Sequence, residues 1–263
     1  MLKVVVVLVD IDNLQLNYFI NEYAVPYELK KGAEIFIYPI KVKDFPIYAN
    51  CKELLEIDKN TINDIDVIQM NYLEFLINRV LVDINTQSLF AMLFQLCIHK
   101  NIALSKDNGK DCIVVLGEND IIESIISAKE FDDIKKIILF QNDKDYDDRY
   151  VNPDVKAEYE KYCKMVNKGV HNPTLEEQKT YVMSKNGYTM EQINNMVYRT
   201  FEQIFNHCIN SEIYLAQKII QASFKYEVKD DVKHPMFKKR VDKYKEMFTD
   251  AESFEQKIQQ ING

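Results

Sequence analysis

Residues 102–142 read IALSKDNGKDCIVVLGENDIIESIISAKEFDDIKKIILFQN, and the way this run parses sets the architecture. Two apolar runs, residues 102–104 and 112–116, flank Asp107-Asn108-Gly109. Asn-Gly supplies the positive φ angles that a tight hairpin turn requires, so two antiparallel strands are predicted here. Residues 121–126 form a third. Ser127 followed by Glu130 is a capping box, which opens a helix whose buried face carries Phe131, Ile134, Ile137 and Ile138. No run of βα units accompanies these strands, so the expectation is a small β element inside an α+β domain rather than a parallel sheet.

Upstream, residues 4–9 are mostly β-branched and read as a buried strand ending at Asp10-Ile11-Asp12-Asn13. Leu14, Leu16, Phe19, Ile20 and Tyr23 fit a short amphipathic helix, and residues 33–38 a second strand stopped by Pro39. Asp44 stands two residues before Pro46, a proline suited to a first helical turn, so a helix through Leu55 follows. Over residues 67–81, Ile68, Tyr72, Phe75, Leu76 and Val80 recur at helical spacing, and Thr86 or Ser88 opens another helix through Ile98.

Downstream, residues 142–148 are acidic and turn-prone, and Asn152-Pro153 closes the stretch. This places a boundary between an α+β domain, residues 1–142, and a helical domain, residues 143–263. The second domain begins with a helix over residues 153–165. Thr174 with Glu177 opens the next, and Thr189 with Gln192 a long third beyond Asn186-Gly187. That third helix runs through Phe201, Ile204, Phe205, Ile209, Tyr214 and Ile220, a span that admits a break near Asn210-Ser211. A charged helix is expected after His234-Pro235. The fold class is therefore α+β, mainly helical, with an N-terminal β element containing a hairpin and an all-helical C-terminal half.

Composition narrows the chemistry. The chain has 263 residues and a formal charge of −8, which leaves no electrostatic footprint for nucleic acid. Six glycines, and no Walker, GxSxG or HExxH pattern, argue against phosphate loops and the familiar hydrolase sites. Cys51, Cys97, Cys112, Cys163 and Cys208 lie far apart with no CxxC pair, as expected of thiols in a reducing cytoplasm. The histidines His99, His171, His207 and His234 lack metal-ligand spacing. Residues 143–148 lack the glycine and terminal glutamate of a calcium loop, and Lys238, Lys239, Arg240, Lys243 and Lys245 read as a solvated face. No run reaches the length of a membrane span or of a signal-peptide core, so neither a membrane segment nor an export signal is expected. The expectation is no cofactor, no metal and no catalysis.

Four stretches point to a family. They are Tyr38-Pro39-Ile40-Lys41-Val42-Lys43-Asp44-Phe45, then Phe131-Asp132-Asp133-Ile134-Lys135-Lys136-Ile137-Ile138 leading into Gln141-Asn142, then Asn152-Pro153-Asp154-Val155, and Pro173-Thr174-Leu175-Glu176. In this order and spacing they resemble tail assembly proteins of phages and prophages of low-GC Gram-positive bacteria, over roughly residues 16 to 236. The resemblance implies a non-catalytic chaperone, working in the bacterial host cytoplasm, that binds the tape measure protein or another tail protein. A long, apolar, helical tape measure would aggregate before the tail tube covers it, and a groove of methionine and aromatic side chains could shield it. Met183, Met190, Met196, Phe201 and Phe205, with Met165 beside them, are the residues placed in such a groove, although the same spacing also packs helices together. The oligomeric state is left open. Two alternatives stand beside this reading. One is a structural tail or baseplate component retained in the virion. The other is a metal-dependent nuclease, because Asp10, Asp12 and Asn13 resemble the first-strand end of NYN/PIN-like nucleases, and Asp120 would join Asp10 and Asp12 around Mg²⁺.

Overall fold

The computed structural model describes residues 10–30, 32–62, 64–147, 153–166 and 172–223. The strand expected over residues 4–9 and the charged helix expected after His234-Pro235 lie outside the described residues. The chain divides into two compact units, Met1–Asp148 with Lys179–Ile204, and Arg149–Gln178 with Phe205–Gly263. The boundary expected at Asn142 thus differs from the division by contacts, since residues 179–204 join the first unit.

Local chemistry explains most elements of that unit. Helix α1 (Ile11–Leu14) is capped by Asp10, which accepts the Asn13 N–H at 3.1 Å, and runs into a π turn, Gln15–Phe19. Phe19 alone of the expected apolar face is buried, with Leu16, Ile20 and Tyr23 exposed. Strands β1 (Val25–Glu28) and β2 (Glu34–Ile37) pair antiparallel, Val25 opposite Ile37. β1 escapes sequence reading because Pro26 argues against a strand, yet a two-stranded ribbon has only edges, where a missing N–H is tolerated. Helix α2 (Phe45–Lys52) follows a 3₁₀ turn, with Pro46 in its first turn as expected.

Two helix expectations need correction. The single helix over residues 67–81 is instead α3 (Ile65–Gln69) and α4 (Tyr72–Phe75), with α4 continuing into a π turn. Asn71 makes the break: its side chain accepts the Glu74 N–H at 2.9 Å while Glu74 accepts the Asn71 N–H at 3.1 Å, so a fresh N-terminus forms there. Helix α5 (Ile84–Cys97) opens at Asp83 rather than at Thr86 or Ser88, because the Asp83 carboxylate takes the N–H groups of Asn85 and Thr86 at 2.8 and 3.0 Å.

Strands β3 (Asn101–Asp107) and β4 (Lys110–Leu116) form the expected hairpin, and β5 (Ile122–Ile126), the expected third strand, pairs antiparallel with β4 to complete a meander. Asn108 and Gly109 hold φ of 52° and 80°, the left-handed pair the hairpin needs. Helix α6 (Ala128–Asn142) follows with its capping box. Buried Glu130 accepts N–H groups from Ser127 at 2.7 Å and Lys30 at 2.8 Å, and the Ser127 hydroxyl as well. Burial works to raise its pKa, but these donors outweigh burial and hold it below the ordinary value. Phe131 centres the core, its ring 5.8 Å from Phe90 and 6.4 Å from both Phe94 and Tyr72. Cys51 and Cys97 are buried and unbonded, and burial pushes both thiols up.

The remaining described elements are helices: α7 (Pro153–Val166), α8 (Leu175–Asn186), α9 (Met190–Asn195) and α10 (Tyr198–Ala222). Gly187, at φ 71°, lets the chain leave α8. The third long helix breaks at Met196-Val197 and runs unbroken through Asn210-Ser211, the reverse of the expectation. The fold is mainly helical α+β, and every described strand is antiparallel. No helix among the described residues is long and apolar enough to cross a membrane.

The segment after β2 joins these parts. The Tyr38 N–H reaches the Cys97 carbonyl at 2.7 Å, the Ile40 N–H reaches Asn142 Oδ1 at 2.8 Å, and the Ile40 carbonyl accepts the Tyr198 N–H at 2.9 Å. The Val42 N–H meets the Met196 carbonyl at 2.9 Å, and Lys41 bridges Val197. Asn142 also donates to the Ile138 carbonyl at 2.9 Å, and neighbouring Gln141 donates to Tyr23 and Ile37 carbonyls. Asn142→Ala would leave a buried Ile40 N–H unsatisfied and is expected to cost roughly 1–3 kcal/mol in urea unfolding. Phe131→Ala should cost about 3–5 kcal/mol through the cavity it opens. A loss under half a kcal/mol for Asn142→Ala would show that Ile40 does not depend on this amide.

Candidate interaction surface

The residues singled out from sequence divide between the two units and differ in burial. Met183, Met190, Met196 and Phe201 belong to the first unit and Phe205 to the second. Phe201 is fully buried, at 0% exposure, so it is a core residue and cannot meet a partner from the surface. Its side chain lies one turn into α10, where Tyr198 stacks on Phe45 at 3.7 Å and Arg199 donates to the Phe140 carbonyl at 2.6 Å. Met183, Met196 and Phe205 are half-buried, and only Met190, at the start of α9, is open to solvent. Thr189 places it there by accepting the Gln192 N–H at 3.2 Å.

Exposed apolar side chains also stand further along the chain. In α10, Leu215 and Ile219 are 59% and 72% exposed and stand i,i+4 on one face, while Ile213 and Ile220 are also exposed. Tyr162 and Met165 on α7, in the same unit, are exposed at i,i+3 spacing. Leu215 and Ile219 thus leave a pair of large aliphatic groups in water on one face of the helix, with Ile213 and Ile220 on the other side. The signal was present in the sequence. Aliphatic residues continue at helical spacing through Ile220, beyond the methionine-rich turns.

The acids named for a nuclease are otherwise employed. Asp10 caps α1, Asp12 is exposed in its first turn, and Asp120 sits in a 3₁₀ turn at φ 58° beside Asn119 at 57°. Among the described residues no three His, Cys, Asp or Glu side chains are placed to hold a metal ion, so Asp10, Asp12 and Asp120 are not brought together as a ligand set. A cleft of about 300 Å³ in the first unit mixes Lys30, Lys110 and Lys129 with Asp107 and Asp111, and mixed signs do not focus a field on an ionic substrate.

Carboxylates do gather around Lys52: Glu56 follows it at i,i+4, whereas Asp143 and Glu202 are distant in the chain and beyond the reach of sequence spacing. Lys52 Nζ lies 3.2 Å from both Glu56 and Asp143. Burial works to lower the pKa of Lys52, but these two acids hold it above its ordinary value. Glu202 faces the same neighbourhood, and burial, then Asp143 and Asp145, push its carboxyl up against the opposing pull of Lys144 and Lys52.

No protein-family model matches this sequence, and no curated protein or solved structure matches it. The inference therefore rests on the residues themselves. A Glu held above its ordinary 4.5 binds its proton more tightly folded than unfolded. Its contribution is intact below that value and is lost as pH rises through the shifted one. Glu202→Gln should accordingly raise the urea midpoint near pH 8 and leave it unchanged near pH 4. An equal change at both would assign the effect to packing.

Proposed function

We propose that this protein is a non-catalytic tail-assembly chaperone of a phage or prophage, binding the tape measure protein in the host cytoplasm before the tail tube encloses it. The observation that carries the reading is the exposed aliphatic face of α10. Leu215 and Ile219 stand clear of the protein's own core, on a helix with regular backbone, as a platform for another apolar helix would require. A tape measure offers that chemistry along its whole length. Met165, exposed and unbranched in the same unit, suits a partner whose surface varies from turn to turn. Binding of this kind uses neither cofactor nor metal, and it demands no convergence of acids.

The test is capture of tagged tape measure protein from cells producing both proteins. Burying one large aliphatic group stabilises a contact by about 1.5–3 kcal/mol, so Leu215→Asp or Ile219→Asp is expected to weaken capture roughly tenfold to a hundredfold. Thermal unfolding should stay nearly unchanged, because both side chains are already in water. Undiminished capture by both variants would remove α10 from the site. Mass spectrometry of purified virions separates the two tail readings: a chaperone is scarce or missing there, whereas stoichiometric copies would make the protein a tail or baseplate component.

A further inference from the structure

The break between α9 and α10 has no local cause. Residues 188–223 contain neither proline nor glycine, the usual origins of an interruption. Met196 departs from helix through its ψ of 146° alone, its φ of −67° being helical, and its N–H still bonds back to Gln192 and Ile193. Val197, which opens α10, has no side-chain acceptor and is a poor cap. The groups exposed by the break are met from elsewhere: the Met196 carbonyl by the Val42 N–H and the Tyr198 N–H by the Ile40 carbonyl, each at 2.9 Å.

The apolar pattern, moreover, reads straight through the break. Ile193, Val197 and Phe201 are all buried in the broken form, and they stand at i, i+4 and i+8. On a continuous helix they would share one face. The same side chains therefore suit two backbones.

We propose that the Met196-Val197 junction is a conformational switch, held broken by residues 40–42 and closing into one helix over residues 190–222 when that clamp lets go. The closed form would extend the continuous helix from about 37 Å to about 50 Å, at 1.5 Å per residue. Such a device alters the length of helix offered to a partner, and it holds whether or not that partner is a tape measure.

Val42→Pro tests it. Val42 is the first residue of its 3₁₀ turn, after Lys41 at φ −93° and ψ 157°, a position that suits proline, and the change removes the N–H that holds Met196 while exchanging a fully buried isopropyl group for a ring. In the full chain, the ¹³Cα shifts of Met196 and Val197 should move from extended towards helical values. Adding Val197→Thr, whose hydroxyl would cap α10, should move them back. Extended shifts in folded Val42→Pro would overturn the switch. Should that variant not fold, saturation-transfer NMR on the natural chain decides: a minor state with helical Met196 shifts, populated within about 0.1–10%, is expected, and its absence would overturn the proposal.

Discussion

Every polar group of a buried backbone must find a partner, and the segment from Ile37 to Val42 is where this requirement organises the protein. It leaves the end of β2, and no other described strand pairs with it. Its N–H and carbonyl groups are shared out instead to the end of α5 at Cys97, the end of α6 at Asn142, and the α9–α10 junction at Met196 and Tyr198. The hydrophobic core supplies most of the stabilisation, but it would accept many arrangements of apolar side chains. The hydrogen bonds to this segment select one of them, because each bond fixes a direction as well as a distance.

What could be read from the sequence follows the range of the chemistry involved. Asn108-Gly109, Ser127 with Glu130, Thr174 with Glu177, and Thr189 with Gln192 act within four residues, and each marks an element end that the structure contains. Where two local signals compete, periodicity misleads. Ile68 through Val80 keeps helical spacing, yet the Asn71–Glu74 box divides it, and Asp83 outbids Thr86 because a carboxylate captures two N–H groups at once. The break at Met196 is of another kind. Its cause lies some 150 residues upstream at Ile40 and Val42, out of reach of any window of sequence.

The candidate surface shows the same limits. Methionine and phenylalanine at helical spacing signal a buried face, but which side that face meets depends on tertiary packing. Phe201 went to the core while Leu215 and Ile219, ordinary aliphatic residues, stayed in water. Of the carboxylates around Lys52, Glu56 follows it at i,i+4, whereas Asp143 at the end of α6 and Glu202 on α10 are brought there only by folding. Residue type was legible; exposure was not.

The partnership of Ile40 with Tyr198 also has a consequence for synthesis. The ribosome adds roughly 5–20 residues per second, so the partner needed by Ile40 is made about 10–30 s after Ile40 itself. During that interval the growing chain holds β1, β2 and then α6 while the Ile40 carbonyl and the Val42 N–H lack their partners. Nascent chains of this protein therefore pass through a stage in which their own apolar helices are incompletely covered, and completion depends on residues translated late.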